Sequence, residues 1–264
     1  MPLSKDFNIS PQLLGDIDEM TSRLKYIAVV YFSTFLITFL YNPFTNKLGL
    51  TTSLSVYVFK LISKSSNGVQ MIAISPFEAI LTDLKVAALL AFVITLPYIT
   101  WHLIRFLSPG LMKHEKRIAY VAIAPATGLF IIGAAFMWFL IIPIMFKFTK
   151  VLDVAMGIAP TVSVSSFTTI LLSMVVAMGL AFETPIIMAT VVYLNITTTA
   201  YLATNWRYAV AGSFVIALFI SPGATGGMME SIIGCTLSGL YGLGLFVSKM
   251  IETSTKSVIT NAAV

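Results

Sequence analysis

Glu183 is the only charged side chain between Thr161 and Trp206, set in the apolar stretch LLSMVVAMGLAFETPIIMATVVYL with Pro185 two residues on. A carboxylate at such depth in a bilayer costs about 2.5–3.5 kcal/mol on insertion scales. Glu183 therefore marks a functional site, or else a protonated carboxyl hydrogen-bonded inside a helix bundle. The Glu-x-Pro pattern adds a break in helix regularity at the same point. A second acid stands out in RFLSPGLMKHEKR, residues 105–117, where Glu115 lies among Lys113, His114, Lys116 and Arg117. The cations follow from membrane topology, but an acid there gives no help to insertion. A fixed carboxylate at a membrane surface can accept a bidentate arginine from a partner. Asp16, Asp18 and Glu19 extend this acidic site, or are solvated acids favoured by the dipole of a starting helix.

Enzymatic constellations are absent. The chain has no HExxH, GxSxG or Walker lysine loop and no paired intramembrane carboxylates, so neither an enzyme nor a cofactor is expected. Cys235 is the single cysteine and His102 and His114 the only histidines, which leaves no metal site to expect. His102 reads as a satisfied histidine near the end of a span.

The elements that position these residues are membrane spans. The 264 residues are 58% hydrophobic and 10% charged, against about 25% charged in soluble domains, and the mean hydropathy is +0.93. Hydropathy yields six apolar segments: 24–41, 84–107, 118–146, 165–194, 208–220 and 228–247. The expectation is an all-α polytopic membrane protein with six transmembrane helices, the last two short, in one domain over residues 1–264. The first segment reads as a retained anchor. Pro125, Pro143 and Pro185 promise kinks. Ser55–Ile62 reads as a short interfacial or cap helix. Pro76 introduces the second span, where Glu78, Asp83 and Lys85 are read as solvated charges at a helix start. With the N-terminus inside, Lys5, Arg23, Lys25, Arg105, Lys113, Lys116, Arg117, Arg207, Lys249 and Lys256 lie on the inner side, and Lys47, Lys60, Lys64, Lys85, Lys147 and Lys150 on the outer side. That excess favours cytoplasmic N- and C-termini.

These residues carry a resemblance to the TatC family of the twin-arginine translocase. Its most specific piece is Phe106-x-x-Pro109-Gly110-Leu111-x-x-His114-Glu115-Lys116-Arg117, followed by Phe182-Glu183-x-Pro185, Asn195-Ile196-Thr197, Arg207-Tyr208, Ser221-Pro222 and Ser75-Pro76-Phe77 with Lys85. The resemblance implies a concave, glove-like bundle and a core subunit of the translocase that exports folded proteins, driven by the proton motive force. It implies twin-arginine signal peptides of folded cargo and small single-span translocase subunits as partners, a homo-oligomeric complex in the lipid bilayer, and no nucleic acid. The membrane would be the prokaryotic plasma membrane. Signal-peptide binding would fall to Glu19, Arg23, Phe106 and Glu115. Glu183 would be the intramembrane polar site, and Pro43 and Pro76 structural residues of the outer loop. The chain departs from the family at Asp16-Ile17-Asp18-Glu19-Met20-Thr21-Ser22-Arg23-Leu24, which lacks a histidine and the first arginine, and at Pro222-Gly223-Ala224, which lacks an aspartate. The alternative from a different class is an ion- or proton-coupled small-solute transporter using Glu183. Against it stand the single buried carboxylate and the lack of an inverted repeat with paired broken helices.

Overall fold

A computed structural model describes residues 11–42, 47–48, 53–63, 69–107, 116, 120–194, 196–221, 223 and 226–262. In chain order they form α1 (Pro11–Leu40), β1 (Tyr41–Asn42), β2 (Lys47–Leu48), α2 (Leu54–Ser63), β3 (Gln70–Ile72) and α3 (Glu78–Leu107). There follow α4 (Ile123–Phe136), a π-helical turn (Met137–Ile141), α5 (Ile142–Ala155), β4 (Thr161–Ser163), α6 (Val164–Ala181) and α7 (Thr184–Tyr193). The last elements are α8 (Thr199–Thr204), α9 (Trp206–Ile220) and α10 (Met228–Ala262). Among the described residues five stretches are long and apolar enough to cross a membrane: Met20–Leu40, Glu78–His102, Ile123–Ala155, Val164–Tyr193 and Met228–Thr253. Trp206–Ile220 is the shorter sixth. Each of the six apolar segments thus has its helix, and the cap helix is α2. The fifth span is short as expected, 15 residues or about 22 Å. The helix of the sixth runs on well past its apolar part.

Prolines shape the long spans. Pro143 sits just after the π-helical turn, where the Ile142 N–H reaches back to the Met137 carbonyl. A proline ring clashes with the carbonyl four residues earlier, and the wider π turn moves that carbonyl aside. The fourth span breaks into α6 and α7 at Phe182–Glu183. The Ala181 carbonyl would ordinarily accept from residue 185, but proline has no N–H. The Thr184 hydroxyl donates to it instead at 2.7 Å, so no lone carbonyl is left there in the apolar layer.

Consecutive spans pack antiparallel, leaving a cap end, with α2, β3 and β4, and a loop end, where α3 finishes. β3 and β4 pair in parallel, Gln70 opposite Thr161, and tie the cap loop to the start of α6. The core lies where α4, α5, α6 and α10 meet, around Phe130, Met137, Ile141, Phe167, Leu171, Met178, Met229 and Ile233. Glycines let α4 and α6 approach closely: a Cβ on Gly179 would stand 2.6 Å from the Phe130 ring, and one on Gly133 2.8 Å from the Met178 carbonyl. Small residues at such crossings are how helices gain packing in lipid, which is as apolar as their own side chains. By contrast α1 is largely uncovered. It holds to α3 through the Tyr31 hydroxyl, which donates to the Ala88 carbonyl at 3.2 Å, and the Thr38 hydroxyl, which reaches the Ala87 carbonyl at 3.2 Å as well as carbonyls of its own helix.

Candidate functional site

Glu183 occupies the joint between α6 and α7. Its carbonyl starts α7, accepting from the N–H groups of Ile186 and Ile187 at 3.0 Å each. Its carboxyl makes no capping bond and no hydrogen bond or ion pair to any other described residue. The side chain is half-buried. The neighbouring Phe182 is fixed by packing its ring on Phe136, centroids 5.6 Å apart, and its Cβ lies where a side chain on Gly133 would be. The joint is therefore held while the carboxyl stays available.

A groove of about 750 Å³ runs between α1, α3 and α6, lined by Tyr31, Lys85, Leu89, Phe92, Leu172, Val176 and neighbours down to Leu180. On α6 the lining residues Thr169, Ser173, Val176 and Leu180 recur every three or four positions. Glu183 continues that row by spacing. The groove therefore leads from the cap end toward the intramembrane carboxyl.

At the cap end the structure corrects the reading of Glu78, Asp83 and Lys85 as solvated charges. Glu78 is 4% exposed. One carboxyl oxygen accepts from the Ile74 and Ser75 N–H groups at 2.6 and 3.3 Å, and the other from the Ser165 N–H at 2.6 Å, across to α6. A single carboxylate thus satisfies the orphan donors of two helix starts. Ser75-Pro76-Phe77-Glu78 has the capping-box pattern with proline at the first turn, a signal present in the sequence. The Glu78 half of that reciprocal pair is formed, while the Glu78 N–H goes to the Ser75 carbonyl at 3.1 Å. The bond to α6 was not legible, since the partner is 87 positions away. Asp83 is buried under α2, close enough to Ser55 for that hydroxyl to act on its carboxyl, and its Oδ1 has no hydrogen-bond partner among the described residues. Lys85 extends its ammonium to the hydroxyls of Thr169 at 2.8 Å and Ser165 at 3.2 Å. Pro76 lies in the turn before α3 and is exposed.

The loop end gathers a second cluster. His102 is buried, its ring edge-on to Tyr98 and Trp101 with centroids 4.4 and 4.8 Å apart. Among the described residues neither ring nitrogen has a hydrogen-bond partner, so the partners expected of a satisfied histidine are not found there, and two aromatic rings flank it. The Arg105 guanidinium lies 5.3 Å from the centre of the Trp101 ring, a cation–π distance. The charges of Arg23 from α1 and Arg105 from α3 both act on His102. Of the other expected site residues, Glu115 and Pro43 lie outside the described residues. Glu19 and Phe106 fall within α1 and α3, but their side chains lie outside the described set.

The TatC family model, described as Sec-independent protein translocase protein, matches residues 16–232. The chain is 29% identical over 199 residues to a Sec-independent protein translocase protein TatC of Helicobacter pylori, covering 75% of this chain and 77% of that one. It is 29% identical over 215 residues to the corresponding protein of Aquifex aeolicus, covering 80% and 88%. A crystal structure described as the twin-arginine translocase receptor TatC superposes with a TM-score of 0.70 at 27% identity, covering 90% of this chain and 99% of that one.

Proposed function

Because the chain belongs to the TatC family of Sec-independent protein translocase proteins, we propose that it is the membrane-embedded receptor which binds twin-arginine signal peptides of folded precursors and nucleates assembly of the export complex. It is a translocase component and not an enzyme. Its membrane is the prokaryotic plasma membrane, with both termini and the loop end cytoplasmic. Glu115 and Glu19 accept the arginines, Arg23 and Phe106 complete the binding surface, and single-span subunits of the same system join it in a homo-oligomeric complex. The observation that supports this reading is the match of the TatC family model to residues 16–232, with the likeness to the twin-arginine translocase receptor structure beside it. Arg23 is one helical turn beyond Glu19 in α1, and Arg105 opens the stretch that contains Glu115.

From there the apolar part of a signal peptide slides along the bundle toward Glu183. With no nucleotide site, the transmembrane potential supplies the drive, about 2.3 kcal/mol per charge per 100 mV. Binding of an Arg-Arg signal peptide to the purified protein tests the reading. Glu115→Gln keeps size and removes charge, and is expected to weaken binding by about 1.5–3 kcal/mol, the scale of a charged hydrogen bond. Unchanged affinity would overturn the assignment of Glu115.

A further inference from the structure

We propose that the groove between α1, α3 and α6 is a phospholipid site, with the phosphate on Lys85, Ser165 and Thr169 and an acyl chain laid toward Leu180. Lys85 lines the groove, and its ammonium is held by two hydroxyl groups. Among the described residues no carboxylate forms an ion pair with it. The nearest acid through Ser165 is Glu78, and both of its oxygens are occupied by backbone N–H groups of two helix starts. Asp83 is two residues from Lys85 in α3 and buried near Ser55 of α2, a spacing that does not bring side chains together on a helix. Glu230, at the start of α10, is engaged by the Ser221 hydroxyl at 2.8 Å. Asp153 belongs to α5, which does not line the groove. Asp16, Asp18 and Glu19 lie at the start of α1 and Glu252 in the far part of α10, at the opposite ends of the spans, and Glu183 lies beyond Leu180, the last lining residue on α6. An ammonium beside an apolar groove, with no compensating anion, calls for a ligand that brings one.

Position and length select the ligand. Ser165 is the second residue of α6, so the ammonium lies at the end of that helix, at headgroup level for a span. From Thr169 to Leu180 the wall of the groove is 11 residues, about 16 Å of helix. That is half of a hydrocarbon core of about 30 Å, the depth of one leaflet. A partner helix crossing the membrane would need a groove along the whole span. A lipid acyl chain needs only this half, and Leu89, Phe92, Leu172 and Val176 give it an apolar bed. The site does not depend on the signal-peptide reading, which rests on the other end of the bundle.

Native mass spectrometry of the purified, delipidated full chain tests this with two probes, phosphatidylglycerol and a diacylglycerol with the same chains but no phosphate. The native protein is expected to hold one phosphatidylglycerol far more tightly than the diacylglycerol. Lys85→Met keeps the apolar stem and is expected to weaken phosphatidylglycerol binding about tenfold, the scale of one lost charge-assisted hydrogen bond. Lys85→Arg is expected to retain it, which separates loss of charge from misfolding. Val176→Trp obstructs the acyl path and is expected to lower occupancy with Lys85 intact. Equal retention of both probes by the native chain, or unchanged binding in Lys85→Met, overturns the proposal. So does loss of a co-purifying single-span subunit in Lys85→Met at unchanged lipid occupancy, because the groove would then hold a helix.

Discussion

A carboxyl group set among apolar helices needs donors, and Glu78 and Glu183 meet that need in opposite ways. Glu78 takes three backbone N–H groups from two helix starts and is saturated. Glu183 has no such partner among the described residues and sits at a joint already held by Thr184 and Phe182. The first is therefore a clamp and the second an available polar group. Glu78→Ala is expected to lower the thermal unfolding midpoint in detergent, with Glu78→Gln, which keeps one acceptor, milder. Equal midpoints for native protein and Glu78→Ala would show the clamp to be dispensable. For Glu183 the expectation is reversed: Glu183→Ala leaves the midpoint and signal-peptide binding unchanged but impairs transport in vesicles, and Glu183→Gln, which still hydrogen-bonds, impairs it less. Ala and Gln variants that transport equally well would remove Glu183 from the mechanism. In the sequence Glu183 stands out as a lone charge in an apolar stretch, whereas Glu78 reads as a solvated charge at a helix start. Isolation is a property of the local stretch and can be read there, whereas the second partner of Glu78 comes from a helix far along the chain.

The spans themselves were legible as elements, since apolar length is a local quantity, and so were the breaks promised by Pro143 and Pro185. The way each break is accommodated was not. A π turn ahead of Pro143 and a threonine hydroxyl in place of the missing N–H at Pro185 are choices made by packing. The closeness of α4 and α6 was likewise hidden. Gly133 and Gly179 look ordinary in sequence, yet each faces atoms of the other helix or its continuation where a Cβ would overlap. Gly179→Val is expected to force the pair apart and destabilise the bundle by about 1–3 kcal/mol, the usual cost of overpacking. Gly212→Ala, where nothing lies within 4 Å of the added carbon, is the control. Denaturation in mixed micelles compares them, and equal stability of the two variants would contradict the close crossing.

At the scale of the molecule the two ends differ in kind. The cap end is stitched by β3 and β4 and by Glu78, while the loop end gathers aromatic rings around His102, with Arg105 over Trp101. A rigid cap opposite a charged, aromatic receiving face suits a receptor that engages ligand from one side. The last hairpin departs from this pattern. α9 has 15 residues, about 22 Å of helix against a hydrocarbon core of about 30 Å, and such a shortfall is met by local thinning or by burial behind neighbours. Phe219 is 86% and Leu218 62% exposed beside the turn, which argues against burial and leaves the lipid to adjust. The turn after Ile220 is then expected to lie within the headgroup layer instead of bulk water. A cysteine at Ala224, in a chain whose exposed Cys235 is replaced by serine, should react slowly with a membrane-impermeant maleimide added from the cap side. A cysteine at Asn67, in the long loop of the same side, should react fast. Equal rates at the two positions would mean that the short helix reaches water by another route, with the bilayer left at full thickness around it.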